Sequence, residues 1–390
     1  MEQIYFSFDN IEAVGWIAVA VAICAAVWLL RFYRARVLSV AEAADASEPE
    51  GPLPPVSVII TSSGNVAALE KVLEDAAAQK YPAKVELVVV NDGKSGDIAD
   101  VVTRFGLRYP DREIYYTHVP DEARNLSRRK LCISLGIKAC RYDYVVLTSS
   151  ECTPVSDRWL SLMISPIAAG KEVSLGFGYI AGLRGAMNRF DEVATATTWL
   201  SEAIKGNPYR GCSFNLAYRK QLFFDAKGFA RTLVLHYGDD DLFINQITDR
   251  YNTAVVLSHD ALVSANFDKP SAQFRELRLR HCFTARMLHG DAAARWFFRF
   301  SNIMLWIWLA ATVAGAILTL PNALPSCILL LIVPALWIPV VMAWRRTGAA
   351  LGVRLGAAFL PFMIMFRWIR TVLWSVICGM SSRKNHTWRN

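Results

Sequence analysis

The sequence predicts an α/β domain with a mostly parallel sheet flanked by helices, joined to one N-terminal and two C-terminal transmembrane helices and to an interfacial helix. Two observations predict it. Short apolar runs alternate with helical patterns between residues 56 and 148, which is typical of a parallel sheet covered on both faces. Three long uncharged apolar runs lie outside that region. With 54% hydrophobic and only 19% charged residues, the chain is not intrinsically disordered.

The first apolar run, Val14–Leu30, is long enough to cross a bilayer and is followed directly by Arg31, Arg34 and Arg36. A cleaved signal peptide would begin with basic residues, whereas the residues before this run are acidic. Because arginines collect on the cytoplasmic side, the run predicts a membrane anchor over residues 1–37 with its N-terminus outside.

Two further apolar runs, Ile303–Leu320 and Cys327–Trp344, predict a transmembrane hairpin over residues 300–346. Arg345 and Arg346 follow it, so the hairpin returns to the basic, cytoplasmic side. This pattern predicts a multi-pass protein of the cell inner membrane.

The last segment, residues 347–390, is apolar but contains Arg354, Arg367 and Arg370. Each arginine costs about 2.5–3.5 kcal/mol at the centre of a bilayer on insertion scales. We therefore expect an interfacial helix and a basic tail, with a fourth span as the alternative. Arg367 and Arg370 share one helical face, and apolar residues that can face lipid occupy the other: Phe362, Met365, Ile369 and Val372.

A cytoplasmic domain is expected over residues 56–295, after a linker at 38–55 that ends in Gly51-Pro52-Leu53-Pro54-Pro55. Its first half alternates strand and helix patterns. Strands are predicted at Val56–Thr61, Val85–Val90, Ile114–Thr117 and Tyr144–Thr148, and helices at the 3.6-residue pattern Leu69, Val72, Leu73, Ala76, around Ile98–Phe105 and over Ser127–Ala139.

Ligands of such sheets bind beyond the carboxyl ends of the strands, so residues 61–63, 91–93 and 148–152 are expected to line one cleft. Asp92 is placed there to accept hydrogen bonds from a ribose or a base, although an Asp-Gly turn is also an ordinary structural feature. The sequence has no G-x-G-x-x-G after the first strand and no P-loop motif, which argues against those two nucleotide sites.

Three adjacent aspartates, Asp239, Asp240 and Asp241, follow Gly238. Carboxylates at close range raise the pKa of at least one of them, which suits a general base or a cation site. Capping of the next helix explains one or two of them equally well, because Asp accepts hydrogen bonds from free N–H groups there. The sequence leaves both interpretations open.

Two other segments have both a functional and a structural interpretation. Residues 211–219 form a small-residue turn that either brings backbone close to a ligand or only turns the chain. A basic amphipathic helix after the aspartates either holds a diphosphate or faces solvent and lipid headgroups. Its basic residues are Arg275, Arg278, Arg280, His281 and Arg286.

Taken together, these motifs resemble the family-two, GT-A-fold glycosyltransferases, and more closely a membrane-anchored subset common in the Bacteroidetes lineage. The resemblance covers about residues 53–290. The segments that carry it are Pro55-Val56-Ser57-Val58-Ile59-Ile60, Val88-Val89-Val90-Asn91-Asp92, Lys130 with Leu135-Gly136-Ile137-Lys138-Ala139, Asn215-Leu216-Ala217-Tyr218-Arg219-Lys220, Gly238-Asp239-Asp240-Asp241-Leu242-Phe243 and Arg280-His281.

The resemblance implies inverting transfer of a hexosyl-type sugar from a nucleoside diphosphate donor. It implies that Asp240 is the base, with Asp239 and Asp241 as the other candidates. Thr61, Ser63, Asp92 and Lys130 would contact the donor nucleotide, and Arg278, Arg280 and His281 its diphosphate. His281 stands where the family has Trp.

Relatives carry Asp-x-Asp where this chain has Ser149-Ser150-Glu151. The resemblance implies Mg²⁺ or Mn²⁺ bound at Glu151, and one carboxylate is sufficient for Mg²⁺ when phosphates and water complete the shell. Metal-independent catalysis that relies on the arginines is the alternative. A catalytically silent membrane scaffold or nucleotide-sugar sensor is the second functional hypothesis.

The predicted partners are a nucleoside diphosphate sugar and a membrane lipid or lipid-linked acceptor. Because the predicted domain lies between membrane segments, we expect its acceptor to be associated with the membrane. Nucleic acid is not expected, because the basic residues concentrate beside the membrane segments and form no stripe with interleaved aromatics.

Overall fold

The computed structural model describes residues 13–45, 51–93, 97–120, 127–233, 235–319 and 323–380. Residues 1–12 of the predicted anchor, residues 46–50 of the predicted linker and the predicted basic tail from 381 lie outside these residues.

The main sheet has the strand order β3-β2-β1-β4-β8-β6-β9, and a second sheet has the order β5-β10-β7. Strands β1 to β4 are parallel to one another, and β8 runs antiparallel to β4 and β6. The predicted mostly parallel α/β fold is therefore confirmed. The strands are β1 (Val56–Ser62), β2 (Val85–Asn91), β3 (Glu113–His118), β4 (Tyr144–Ser149), β5 (Cys152–Pro154), β6 (Val173–Leu175), β7 (Gly178–Ile180), β8 (Leu216–Arg219), β9 (Thr253–Val255) and β10 (Val263–Ala265).

Helices cover both faces of the sheet and form the candidate membrane spans. They are α1 (Ala13–Tyr33), α2 (Ser39–Ala44), α3 (Val66–Ala77), α4 (Asp97–Arg108), α5 (Arg128–Ala139), α6 (Trp159–Ala168), α7 (Ala186–Ile204), α8 (Lys220–Asp225), α9 (Leu242–Ile247), α10 (Pro270–Thr284), α11 (Asp291–Leu318), α12 (Ala323–Ala350), α13 (Leu360–Met365) and α14 (Arg367–Met380).

The hydrophobic pattern that predicted α3 corresponds to its buried face. Its four apolar positions are all buried: Leu69, Val72, Leu73 and Ala76. Asn65 caps the helix by accepting a hydrogen bond of 3.2 Å from the backbone N–H of Ala68. The continuous apolar strands β1 and β2 are buried at every position, because helices cover both faces of the sheet.

Three helical segments in the described part of the chain are long and apolar enough to cross a membrane, at Val14–Ala44, Asp291–Leu318 and Cys327–Ala350. These are the three predicted spans. The first continues beyond the anchor through a π-helical segment, Arg34–Leu38, and then α2. Part of the segment predicted as a linker is therefore helical, because Val40 and Ala41 are buried in the protein.

The anchor is fixed to the rest of the protein by polar contacts as well as by packing. Arg36 forms an ion pair with Glu202 on α7, and both side chains are largely buried. The hydroxyl of Thr347, at the end of α12, donates a hydrogen bond of 2.7 Å to the carbonyl of Val37. These contacts connect the predicted anchor, hairpin and sheet domain in one structure.

Helix α14 is too short and too polar to count among the candidate spans of the described residues. Its arginine face binds α7. Arg367 donates to the carbonyl of Ala194 at 2.8 Å, and Arg370 donates to Oδ1 of Asn188 at 2.9 Å. Apolar residues on the other side of α13 and α14 are exposed, as an interfacial helix requires: Phe362, Ile369, Val372 and Val376.

Candidate active site

The strand ends that the sequence predicts to line one cleft are adjacent in the structure. The hydroxyl of Thr61 donates to the carbonyl of Thr148 at 3.3 Å, and the Ser150 N–H donates to the carbonyl of Thr61 at 2.9 Å. On the other side of β1, the Asp92 N–H donates to the carbonyl of Ser62 at 3.0 Å. The carboxyl ends of β1, β2 and β4 therefore form one continuous edge.

Glu151 lies at this edge, held by two serines. The hydroxyls of Ser63 and Ser149 each donate a hydrogen bond to its carboxylate, one to each oxygen. The hydroxyl of Ser150 is buried with no hydrogen-bond partner. Among the described residues, no cluster of three or more His, Cys, Asp or Glu side chains is arranged to hold a metal ion. The oxygen ligands at Glu151 still fit a hard divalent cation that takes its remaining ligands from phosphates and water.

The three aspartates lie on the loop that leads into α9, and all three are buried. Gly238 precedes them with a φ of +104°, a left-handed conformation that glycine adopts without strain. Asp241 is the helix cap: its carboxylate accepts a hydrogen bond of 2.7 Å from the Leu242 N–H. It also accepts one from the hydroxyl of Thr284 on α10. Capping therefore explains Asp241 and leaves the other two carboxylates for other roles.

Asp239 is paired with an arginine. Nε of Arg129, on α5, donates to Oδ2 of Asp239 at 2.6 Å. Burial tends to raise the pKa of Asp239, but the charges of Arg129, Arg280 and Lys130 and the hydrogen bond from Arg129 together outweigh it and hold the pKa below its ordinary value. The Arg129 guanidinium also stacks over the Phe214 ring, 5.4 Å from its centroid. Asp239 is therefore a fixed anion.

Asp240 has the opposite electrostatics. Burial, and then the charges of Asp239 and Asp241, raise its pKa to about 7, although Arg280 and Arg129 act in the opposite direction. Its carbonyl accepts a hydrogen bond of 2.9 Å from the Gly211 N–H. Asp240 also lines a cavity of about 40 Å³. Two neighbouring carboxylates with pKa values moved in opposite directions are typical of acid–base sites.

Gly211 and the turn that follows it belong to this site. A Cβ at Gly211 would lie 3.2 Å from the Asp240 carbonyl oxygen. Gly211, Cys212 and Phe214 line the same cavity as Asp240. Of the two interpretations that the sequence allows for this segment, the structure supports close approach of backbone to a site.

The basic residues of α10 have different partners. Nε of Arg278 lies 3.3 Å from Oδ2 of Asp191 on α7. Arg280 pairs with Glu276 at 3.0 Å, and its charge lowers the pKa values of Asp239 and Asp240. Of Arg278 and Arg280, it is therefore Arg280 whose charge acts on Asp239 and Asp240.

His281 is neutral. Burial, and then the positive charges of three arginines, hold its pKa well below the ordinary value. The first of these arginines is Arg210, which also donates to the carbonyl of His281 at 3.4 Å. His281 lines the cavity beside Asp240, so a neutral imidazole is available there for hydrogen bonding.

Lys130, predicted to contact the nucleotide, binds backbone. Its buried ammonium donates to the carbonyls of Thr232 and Leu235 at 2.6 and 3.0 Å. Burial lowers the pKa of Lys130 to about 8, even though the three aspartates act to raise it. In this structure Lys130 therefore holds the loop that carries the aspartates.

Sequence reasoning missed Arg129 and Arg210. The only local signals were their positions, since Arg129 precedes Lys130 in a basic run and Arg210 precedes Gly211. Neither position reveals a partner, because Arg129 and Asp239 are 110 residues apart.

The sequence profile of glycosyl transferase family 21 matches residues 14–390. The chain belongs to glycosyl transferase family 21. The glycosyltransferase class predicted from the motifs is thus confirmed, while the family is 21 rather than family two. No curated protein shows significant similarity to this family member.

Several solved structures resemble this glycosyltransferase family member. The mannosyltransferase PcManGT from Pyrobaculum calidifontis, in complex with GDP-Man and Mn²⁺, is 15% identical with a TM-score of 0.49, over 85% of this chain and 97% of its own. S. aureus TarS 1–349 in complex with UDP-GlcNAc is 15% identical with a TM-score of 0.39, over 86% and 93%. GalNAc-T7 with UDP, GalNAc and Mn²⁺ is 13% identical with a TM-score of 0.42, over 61% and 51%.

Proposed function

We propose that this member of family 21 is a membrane-bound, inverting glycosyltransferase of hexosyl type. It moves a sugar from a nucleoside diphosphate donor to a membrane-associated acceptor, either lipid-linked or a glycan. The observation that carries the proposal is Asp240, a buried carboxylate with a pKa raised to about 7, at a cavity and beside the fixed anion Asp239. A general base works best when its pKa lies near the operating pH.

In the proposed step, the Asp240 carboxylate takes the proton of the acceptor hydroxyl. The acceptor oxygen forms a bond to the anomeric carbon of the sugar from the face opposite the leaving group. The bond between that carbon and the diphosphate oxygen breaks, and its electron pair leaves with the nucleoside diphosphate. One displacement of this kind inverts the anomeric configuration.

On the donor side, we assign the nucleotide to the edge formed by Thr61, Ser63 and Asp92. The positive charge of Arg280 stabilises the diphosphate as its negative charge increases. Arg278 pairs with Asp191 and, like His281, lines the cavity beside Asp240, so neither is assigned to the diphosphate. Lys130 contributes by holding the loop of the aspartates.

A bound Mg²⁺ or Mn²⁺ would neutralise diphosphate charge, and Glu151 would be its protein ligand. Ser63 and Ser149 orient that carboxylate through their hydrogen bonds. Glu151 takes no part in binding the acceptor hydroxyl or in its deprotonation by Asp240.

The membrane location supports an acceptor in the bilayer. Three helices in the described part of the chain are long and apolar enough to span it, and arginines lie in the C-terminal parts of the first and the third of them. The positive-inside rule then puts the domain on the cytoplasmic side of the inner membrane. A cleft held close to the headgroups meets lipid-linked acceptors directly.

The test is transfer of radiolabelled sugar from a panel of UDP- and GDP-sugars into the lipids of membranes that contain the protein. We expect label in the lipid fraction with the wild type, and a loss of about 10²–10⁴-fold for Asp240→Asn, the size of a general-base contribution. Calorimetry should show donor binding unchanged in that variant. Asp225→Asn, at an exposed carboxylate on α8, is the control.

Donor binding without transfer by the wild type would contradict the proposal. That result would favour the nucleotide-sugar sensor, a function that the single carboxylate of Ser149-Ser150-Glu151 also allows. Full activity of Asp240→Asn would instead remove Asp240 as the base.

A further inference from the structure

A cavity on the α10 side of Asp240 contains polar groups to which the proposed function gives no role. It lies between α7, β7, the Gly211 turn and α10, and its volume is about 40 Å³, enough for a few atoms the size of water. Most of its wall is apolar, formed by side chains such as Phe177, Ile180, Trp199, Phe274 and Leu277.

Glu192 on α7 is the unexplained group in this wall. The side chain is buried, with 6% of the residue exposed. Its Oε1 accepts a hydrogen bond of 2.8 Å from the Ile180 N–H. Its other oxygen, Oε2, is buried without a hydrogen-bond partner. An unpaired buried oxygen is costly in free energy, so its presence in the wall of a cavity indicates a missing ligand.

The protonation of Glu192 determines which ligand fits. Burial raises its pKa to about 8, and the neighbouring charge of Asp191 acts in the same direction. The side chain is therefore a neutral acid near pH 7, with one O–H to donate. The other titratable groups in the cavity wall are Cys212, Asp240, Arg278 and His281.

Two further residues of this wall, His281 and Asp240, have polar side chains that complement the acid. Nδ1 of His281 is also buried without a partner, and the Asp240 carboxylate accepts hydrogen bonds when it is ionised. An alcohol hydroxyl is both a donor and an acceptor, so it can pair with Asp240 and Glu192 together. A phosphate or carboxylate cannot, because Asp240 would repel it. The apolar wall favours an aliphatic carbon next to that hydroxyl.

We propose that Glu192 is an acceptor-binding residue: it donates a hydrogen bond to the oxygen of the acceptor hydroxyl whose proton Asp240 removes, and the cavity admits an alcohol on an aliphatic carbon. This inference rests on the proposed transferase function. Glu192 contributes binding and orientation of the acceptor, and no contact with the donor.

The experiment compares Glu192→Gln and Glu192→Leu in the full-length protein in detergent micelles. The donor is the nucleotide sugar that the wild type uses, and the acceptor probe is the total lipid extract of the expression host at increasing mole fraction. Gln keeps an oxygen for the Ile180 N–H and an amide N–H for the acceptor, whereas Leu has neither. We expect the half-saturating lipid fraction to rise about tenfold in Glu192→Leu and less than about threefold in Glu192→Gln.

The donor KM and the donor affinity by calorimetry should stay within about twofold of the wild type in both variants. Thr197→Val is the matched control. It lies on the same helix and removes a buried hydrogen bond of 2.7 Å to the Val193 carbonyl. We expect it to lower the Tm without changing the half-saturating lipid fraction.

An unchanged lipid dependence in Glu192→Leu, with transfer intact, would overturn this inference and leave the proposed function in place. An equal rise of the half-saturating lipid fraction and the donor KM in Glu192→Leu would show that Glu192 has only a structural role. The same rise of the lipid fraction in Thr197→Val would show this too, and either result would overturn the inference. Absence of transfer by the wild type would overturn both proposals.

Discussion

Arg129 and the buried Asp239 form an ion pair in which Nε lies 2.6 Å from Oδ2, although the two residues are 110 positions apart. This pair connects α5 to the loop of the aspartates. It keeps Asp239 ionised, and the charge of Asp239 is, after burial, the largest influence that raises the pKa of Asp240. The electrostatics of the proposed base thus depend on an arginine outside the acidic motif.

Replacement of Arg129 by Gln should therefore move the pH profile of transfer. Without Arg129, the charges of Arg280 and Lys130 still act to keep Asp239 ionised. The main effect is then the loss of the positive charge by which Arg129 lowers the pKa of Asp240, so that pKa should rise and shift the acidic limb of kcat/KM to higher pH. A shift of one unit lowers the rate about tenfold on that limb. Arg104→Gln, which removes an exposed pair with Glu70, should leave the profile unchanged. An unshifted limb in Arg129→Gln would contradict this account.

Lys130→Met should lower both the Tm and the transfer rate. The substitution leaves the carbonyl of Leu235 without its donor, at a cost of about 1–3 kcal/mol for a buried unsatisfied group, whereas the carbonyl of Thr232 still accepts a hydrogen bond of 3.0 Å from the Leu235 N–H. Lys138→Met, at an exposed position of the same helix, is the control and should have no effect. Loss of nucleotide affinity in Lys130→Met, without loss of Tm, would instead support the direct donor contact predicted from the sequence.

Asp240→Asn should stabilise the fold at high pH. The pKa of Asp240 is about 7 in the folded protein and about 4 in an unfolded chain. The folded state therefore binds more protons between these values, and the contribution of Asp240 to stability falls as the pH rises through that window. Asn has no such loss, so its Tm advantage should be larger at pH 8 than at pH 5. Equal differences at both pH values would show that the pKa is not raised.

Removal of the Glu151 carboxylate tests whether Glu151 binds a divalent metal ion. Calorimetry of UDP and GDP binding, with and without Mn²⁺, should show tighter binding with the ion in the wild type. Glu151→Gln should reduce this gain in nucleotide affinity by at least about tenfold. Loss of a residue that only supports a metal ligand commonly lowers metal affinity by that factor. Glu172→Gln, which removes the partner of Arg219, is the control. No effect of Mn²⁺ on the wild type would indicate a donor site that relies on arginines.

Asp191→Asn should destabilise the contact between α10 and α14. The Asp191 carboxylate accepts a hydrogen bond of 2.9 Å from the Trp374 indole, and Arg278 and Arg370 lie 3.3 and 3.5 Å from it. Loss of one member of a buried ion pair costs about 3–5 kcal/mol. Asp157→Asn, which removes an exposed pair with Lys80, should leave the Tm unchanged. A Tm like that of the wild type in Asp191→Asn would show that the cluster contributes no stability.

The sequence predicted the sheet well because the relevant signals are local. A continuous apolar run indicates a strand buried on both faces, and β1 was predicted to within one residue of its end at Ser62. The linker was less well predicted. Ala and Glu are abundant there, and both are good helix formers, so packing against the protein was enough to make α2 helical.

Much of the candidate site depends on pairings that no local pattern shows. The aspartates were evident from their charge density, but the partner of Asp239 came from another helix. Glu192 was not identifiable at all, since a single glutamate on a helix resembles a solvated residue until its burial is known. Long-range contacts determine which polar residue is held inside.

The ion pair between Arg36 and Glu202 fixes the anchor to the sheet domain, and the hydrogen bond from Thr347 to Val37 fixes it to the hairpin. In the proposed reaction, these contacts set the height of the cleft above the bilayer. An acceptor hydroxyl at that height is within reach, whereas the same chemical group on a long headgroup lies above the opening.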